Sequence, residues 1–297
     1  MLTKQRTIRL VGYASGVAAS DSGCAKGPLV MQSSPFMSEL KEKGLNFQWD
    51  TVISPKDLLN QSPLSVITQE SQDLAEAVSK IVQDNHFFTV IGGDHSAAIG
   101  TWSGAHAQVQ HRGAMGLIWI DAHLDSHTPE TSPTGNIHGM PLACLLGHGN
   151  PALTSILNDV PKLKPEHVCL IGVRSYEVGE EELLKKLNVR IYFMDEVDRR
   201  GLKEVMKEAI EIVNAGTVGF GITIDVDSVD PVDAPGTGVS EPGGIRAKEL
   251  CDALSLISND SRLIGAEIVE FDPHLDKGQK TEKLVADLLA AITLSSA

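Results

Sequence analysis

Short β-branched or apolar runs recur along the chain with helically spaced segments between them, and this alternation restricts the fold more than any other feature of the sequence. The runs fall at 8–11, 87–91, 116–120, 167–172, 190–193, 220–226 and 264–269. Helical patterns fall at 71–83, 97–108, 201–213, 247–257 and 282–293. In the first of these, Leu74, Val78, Ile81 and Val82 follow i, i+4, i+7, i+8 spacing and form one apolar stripe that packs on a sheet. Strands joined by crossover helices run parallel. GLIWI and FGITI are apolar on both alternating faces, which places their strands at the centre of a sheet covered by helices on each side. The expectation is an α/β fold with a mainly parallel sheet as its buried middle layer. With no internal repeat and no Pro/Ser-rich linker, residues 1–297 read as a single domain.

The acidic balance narrows the partners. Formal net charge is -14, so there is no diffuse basic field to hold nucleic acid or an anionic membrane. No sustained apolar run follows the basic residues of the N-terminus, and no uncharged stretch reaches bilayer-spanning length. Cys24, Cys144, Cys169 and Cys251 are scattered without a C-x-x-C pair, which fits small buried hydrophobes in a reducing compartment. A soluble, cytoplasmic protein is expected.

Two segments rich in Gly, Pro and Thr, 128–139 and 230–244, follow the runs GLIWID and ITIDVD. In open parallel sheets ligands bind beyond the carboxyl ends of the strands, so these loops point to a site. Ionisable residues concentrate at the same kind of position in IGGDHS (91–96), IDAHLDSH (120–127) and IDVDSVDP (224–231). Asp121 and Asp125, or Asp225 and Asp227, would repel each other in a half-buried crevice, and a divalent cation removes the conflict. If the strands persist, Asp121, His123 and Asp125 alternate onto one face, as do Asp225 and Asp227, and His95 completes the cluster. Two imidazoles, four carboxylates and no thiolate suit Mn²⁺, Mg²⁺ or Fe²⁺ better than a structural Zn²⁺. Four carboxylates exceed the needs of one catalytic ion and suit two ions about 3.5–4 Å apart. Alone, a D-x-D is a turn or cap and GGDH a tight turn with an N-cap Asp. Three such segments at three strand ends are far more specific.

These segments resemble the ureohydrolase family of arginases, agmatinases, guanidinobutyrases and formimidoylglutamases. The resemblance runs through nearly the whole chain: G-x-A-x-G-P at 23–28, GGDHS, DAHLDSHTPETSPTGNIHG, GVRS, DVDSVDPVDAPGTG followed by EPGG, and EIVEFDP. It implies a three-layer αβα sandwich, trimers or hexamers, and two Mn²⁺ per subunit. It places His95, Asp121, Asp125 and Asp225 on one ion and Asp121, His123, Asp225 and Asp227 on the other, with Asp121 and Asp225 bridging. A guanidinium carbon is a poor electrophile because its charge is delocalised, so hydrolysis needs a strong nucleophile, which the resemblance supplies as a hydroxide bridging the ions. Asp125 would hydrogen-bond that hydroxide. Glu270 matches the carboxylate that orients the guanidinium, and His138 the histidine that transfers a proton to the departing amine or relays one from solvent. His106, His111, His148, His86 and Glu182 match nothing and are expected to be solvated.

Within the family, the HGMPL continuation at 138–142 resembles arginases, which favours L-arginine as substrate, with urea and L-ornithine as products. Ser132, Thr134 and Asn136 match contacts to the amino-acid end. Three positions depart from the arginase pattern: His127 replaces an Asn at the carboxylate end, Glu177 an Asp at the α-amino group, and Val239 a Thr near the second metal segment. Changes of this size move discrimination by about 1–3 kcal/mol, so 4-guanidinobutyrate, agmatine or N-formimidoylglutamate is the alternative substrate. A catalytically silent subunit that acts by assembly would have lost ligands that this chain keeps, and a single-zinc deacetylase of related fold would not need His95 and the full set of carboxylates.

Overall fold

The computed structural model describes residues 7–56, 60–258 and 260–294. Residues 1–6, the start of the N-terminal segment expected to carry no leader, lie outside the described residues. The strands are β1 (Ile8–Tyr13), β2 (Phe47–Ile53), β3 (Phe87–Gly92), β4 (Ala114–Ile120), β5 (Val168–Val173), β6 (Arg190–Phe193), β7 (Thr217–Asp225) and β8 (Leu263–Val269). They form one parallel sheet in the order β2-β1-β3-β8-β7-β4-β5-β6. The helices are α1 (Gly27–Ser33), α2 (Pro35–Glu42), α3 (Pro63–Gln83), α4 (Ala97–Val109), α5 (Pro141–Leu145), α6 (Pro151–Thr154), α7 (Val178–Leu187), α8 (Met194–Arg200), α9 (Leu202–Asn214), α10 (Ala247–Leu254) and α11 (Lys280–Thr293).

Alternation along the strands divides the core into two layers. In β4, Ile118 and Ile120 face α2, α8, α9, α10 and α11, whereas Met115, Leu117 and Trp119 face α3, α4, α5 and α7. The three-layer α/β/α arrangement expected from the sequence is the one observed. FGITI, however, is apolar on one face only. Phe220, Ile222 and Ile224 pack into the first layer, while Gly221 and Thr223 face the second. Gly221 is small for a reason: a Cβ there would stand 2.0 Å from Cζ3 of the buried Trp102.

The sequence reading found no strand at 47–53. β2 is an edge strand whose outward residues are solvated, so it lacks the apolar run of the central strands. It also found α3 only from residue 71, whereas the helix begins at Pro63, where Ser62 Oγ caps it by accepting from Ser65 N at 3.2 Å. The chain order of the strands matters for the site. The early strands β1–β3 and the middle strands β4–β6 form the two flanks, and the late strands β7 and β8 insert between β3 and β4. Carboxyl ends from all three parts of the chain thereby meet at one edge. No described helix is long and apolar enough to cross a membrane.

Candidate metal centre

His95 leaves β3 through Gly92-Gly93. Gly93 is required by close approach, because a Cβ there would lie 1.9 Å from the Ser15 carbonyl oxygen. Its own carbonyl accepts Glu270 N at 2.7 Å, so this turn ties the end of β3 to the end of β8. Asp121 follows directly on β4, where Trp119 Nε1 donates to its Oδ2 at 2.9 Å and His123 N to its Oδ1 at 2.7 Å. Asp225 ends β7 and accepts Asp227 N through Oδ1 at 2.8 Å, and Asp227 Oδ1 accepts Ala122 N at 3.2 Å.

These bonds correct the expected alternation. Neither strand persists: β4 stops at Ile120, and Val226–Ser228 is a single 3₁₀ turn. Aspartate side chains bond their own backbone two residues on and tolerate left-handed conformations, which favours turns over extension. Asp125 reaches the cluster from φ +47°. The ligands converge through capped turns, not through strand pleating.

All six residues nonetheless come together. His95 Nδ1 lies 3.2 Å from Asp121 Oδ2, 3.0 Å from Asp125 Oδ2 and 3.2 Å from Asp225 Oδ2. His123 Nδ1 lies 3.4 Å from Asp121 Oδ1 and 3.0 Å from Asp227 Oδ2. Two groups therefore have donor atoms close enough to hold an ion each, His95/Asp121/Asp225 and Asp121/His123/Asp227, with Asp121 common to both. Cis ligands about 2.1 Å from an octahedral ion stand about 3 Å apart, which matches these separations. His95 Nδ1 is also a buried polar atom with no hydrogen bond of good geometry, the condition of a nitrogen whose partner is a cation. The residues fit a metal.

The electrostatics agree. Burial, and then the charge of Asp121, push Asp125 up to about 6. Burial, followed by Asp227 and Asp121, raises Asp225 well above the carboxylate range. Asp227 is raised as well, whereas Asp121, held between both imidazoles, is pulled below the carboxylate range against its burial. The three raised carboxylates resist ionisation together, and added positive charge relieves that resistance.

The near side of the centre forms the floor of a cavity of about 330 Å³ lined by His123, Asp125, Asp225, Asp227, Glu270 and His138, with His95 and Asp121 buried behind it. His138 Nδ1 bonds Glu270 Oε1 at 3.1 Å, and the same oxygen accepts His95 N at 2.9 Å. Burial opposes charge on His138, but Glu270 outweighs it and lifts the imidazole to about 9. Burial likewise opposes charge on Glu270, yet contact with His138 holds it below the ordinary glutamate value. Glu270 sits at φ +65°, so its backbone is turned to aim the side chain inward.

His127, Ser132, Thr134, Asn136, Glu177 and Val239 all line the outer part of the same cavity. Asn136 is held there by a 2.8 Å bond to Ser20 Oγ. His127 Nε2 lies 3.0 Å from Glu177 Oε2 and 3.4 Å from Glu180 Oε2. Glu180 was missed in the sequence. It accepts Ser126 N at 3.1 Å and Glu177 N at 3.1 Å, and burial pushes its carboxyl up to about 8. Its signal was the E-x-x-E spacing that forms a capping box at the start of α7.

Arg174 was legible only as part of GVRS. Its guanidinium donates to the carbonyls of Gly172, Asp227, Ser228, Glu241 and Pro242, clamping the second metal segment to the loop that carries Val239. His106, expected in solvent, is instead buried on the inner side of α4, where burial lowers it to about 4 and keeps it neutral.

The family model described as the arginase family matches residues 6–295. The chain belongs to the arginase family. It is 38% identical to an arginase of Bacillus caldovelox over 97% of this chain and 98% of that protein, and 35% identical to an arginase of Bacillus subtilis over 97% of each. The native crystal structure of the Bacillus caldovelox arginase superposes with a TM-score of 0.91 at 37% identity, covering 98% of this chain and 99% of the other.

Proposed function

We propose that this chain is a binuclear manganese hydrolase that cleaves the guanidinium of L-arginine to L-ornithine and urea. The observation that carries the reading is the pair of imidazole Nδ1 atoms, each within 3.0–3.4 Å of carboxylate oxygens from different segments, at the floor of a cavity that also presents Glu270 and His138. His95, Asp121, Asp125 and Asp225 would hold one Mn²⁺, and Asp121, His123, Asp225 and Asp227 the other. When bound, the ions supply an activated water nucleophile near neutral pH.

The protein's own groups do the rest. Glu270, kept ionised by His138, offers a planar acceptor to the substrate guanidinium and so fixes the carbon to be attacked. A guanidinium seated on Glu270 releases His138 Nδ1 from its 3.1 Å bond, leaving the imidazole's proton available to the departing amine. Asp125 points an oxygen into the cluster and would accept a hydrogen bond from the nucleophile. Ser132, Thr134 and Asn136 would receive the α-carboxylate, with His127 as a further donor, and Glu177 the α-ammonium. Arginine is favoured over 4-guanidinobutyrate, agmatine and N-formimidoylglutamate because the similar curated proteins are arginases. A single cytoplasmic domain assembled as a homotrimer or hexamer completes the proposal.

The test is a substrate panel on Mn²⁺-loaded and chelated protein. Urea from arginine that disappears on chelation and returns with Mn²⁺ supports the reading. Fully loaded protein that releases no urea from arginine rejects it, and formamide from the formimino substrate would redirect it.

A further inference from the structure

Beneath His95 the sheet carries an unusual row. Trp119 on β4, Thr223 on β7 and Glu267 on β8 are register partners, so their side chains stand side by side on the same face. The same row continues outward through Val90 on one side and Leu170 on the other, both fully buried apolar residues. A threonine and a glutamate with no solvent exposure in such a row carry a desolvation cost that a core made only for packing would avoid.

Both polar members lead to His95. Its ring stacks on Trp119 with centroids 4.4 Å apart and planes 20° from parallel. Its Nε2 lies 3.1 Å from Thr223 Oγ1. With a cation at Nδ1, Nε2 would be the nitrogen that carries the proton, and it would donate to Thr223 Oγ1. Glu267 stands beside Thr223 on the neighbouring strand, and its carboxyl is also approached by Thr101 and by the Trp102 indole on α4. Both Glu267 oxygens remain buried without a hydrogen bond of full geometry, so the carboxyl keeps acceptor capacity for this chain. Trp119 adds a second hold through its bond to Asp121 Oδ2.

We propose that Thr223 and Glu267 are positioning residues that fix the tautomer and direction of His95, so that Nδ1 presents its lone pair to the first metal site. The inference rests on the metal reading above. Outer partners of this kind typically change metal affinity 10–100-fold when removed. Thr223 acts through His95, and Glu267 acts through Thr223.

The experiment is titration of chelator-stripped protein with Mn²⁺, free ion being read by its electron paramagnetic resonance signal. Thr223→Val should weaken the first metal site, the one that holds His95, about 10–100-fold. Thr223→Ser, which restores the hydroxyl, should bind like the wild type, as should Thr101→Val, which touches Glu267 but not His95. If Thr223→Val does not fold, Thr223→Ala, which fits wherever threonine does, carries the same comparison. Affinity unchanged in the folded Thr223 variant, or lost equally in Thr101→Val, would overturn the positioning role while leaving the metal reading intact. Wild-type protein that takes up no Mn²⁺ would overturn the metal reading, and this role with it.

Discussion

The floor and the mouth of the cavity are built differently. At the floor His95, Asp121, Asp225 and Asp227 are buried, and the three aspartates also accept bonds from backbone or indole N–H groups. At the mouth the Glu177 side chain is 60% exposed, Val239 is 41% exposed, and Ser132 and Thr134 spend their hydroxyls on their own loop. The three positions read in the sequence as departures from the arginase pattern all line this outer part, although His127 among them is buried against Thr131 and Glu177. The difference teaches that the floor is fixed by strand ends whose rearrangement would leave buried groups unpaired, whereas the mouth, where the proposed function places the amino-acid tail, is built largely of loop residues that can be exchanged more cheaply.

Substitutions should separate the two regions by size of effect. Asp225→Ala at the floor removes an oxygen from a buried cluster, and it should abolish urea release and lower the Mn²⁺ bound per chain, measured by atomic absorption. Retained activity would break the comparison. His138→Asn should cost about 10²–10⁴-fold in kcat, with KM much less affected, in steady-state assays. Glu270→Gln removes a charge-assisted pair worth about 1.5–3 kcal/mol, and kcat/KM for arginine should fall about 10–200-fold. At the mouth, His127→Asn, Glu177→Asp and Val239→Thr should each change the ratio of kcat/KM between arginine and agmatine, by at most the equivalent of about 1–3 kcal/mol. A mouth variant that lost Mn²⁺ would show that the regions are not separable.

The smallest effect is on stability. His138 is raised to about 9 by Glu270, so the pair contributes fully below the unfolded histidine value of about 6.5 and fades as pH rises through about 9. In metal-free protein, the difference in Tm between wild type and His138→Asn should therefore be largest near pH 6 and vanish above about pH 9. A difference that grows with pH would reverse the sign.

The same division explains what could be read from the sequence. Seven strands were legible because they are largely buried and leave short apolar or β-branched runs, even in the edge strand β6, where Ile191 and Tyr192 are buried. The floor residues were legible because carboxylates at such strand ends are anomalous. β2 was not, since a solvated edge strand carries no such run. The helices α1, α2, α5, α6, α7 and α8 are each ten residues or fewer and leave little room for an apolar period, whereas the eight-residue α10 was read because its apolar spacing continues to Ile257 beyond the helix end. The D-x-H-x-D and D-x-D spacings suggested the right residues by the wrong local geometry, because aspartate turns replaced the strands. Thr223 and Glu267 sit inside FGITID and AEIVEF with no local sign of a role, which emerges only when β7 and β8 are placed beside β4 and beneath His95.

The most direct test of the binuclear centre is an anomalous difference map from crystals of Mn²⁺-loaded protein, collected on both sides of the manganese absorption edge. Two edge-dependent peaks are expected, one bonded to His95 Nδ1 and one to His123 Nδ1, with Asp121 and Asp225 touching both. A single peak, or peaks away from these six residues in an active enzyme, would contradict the account.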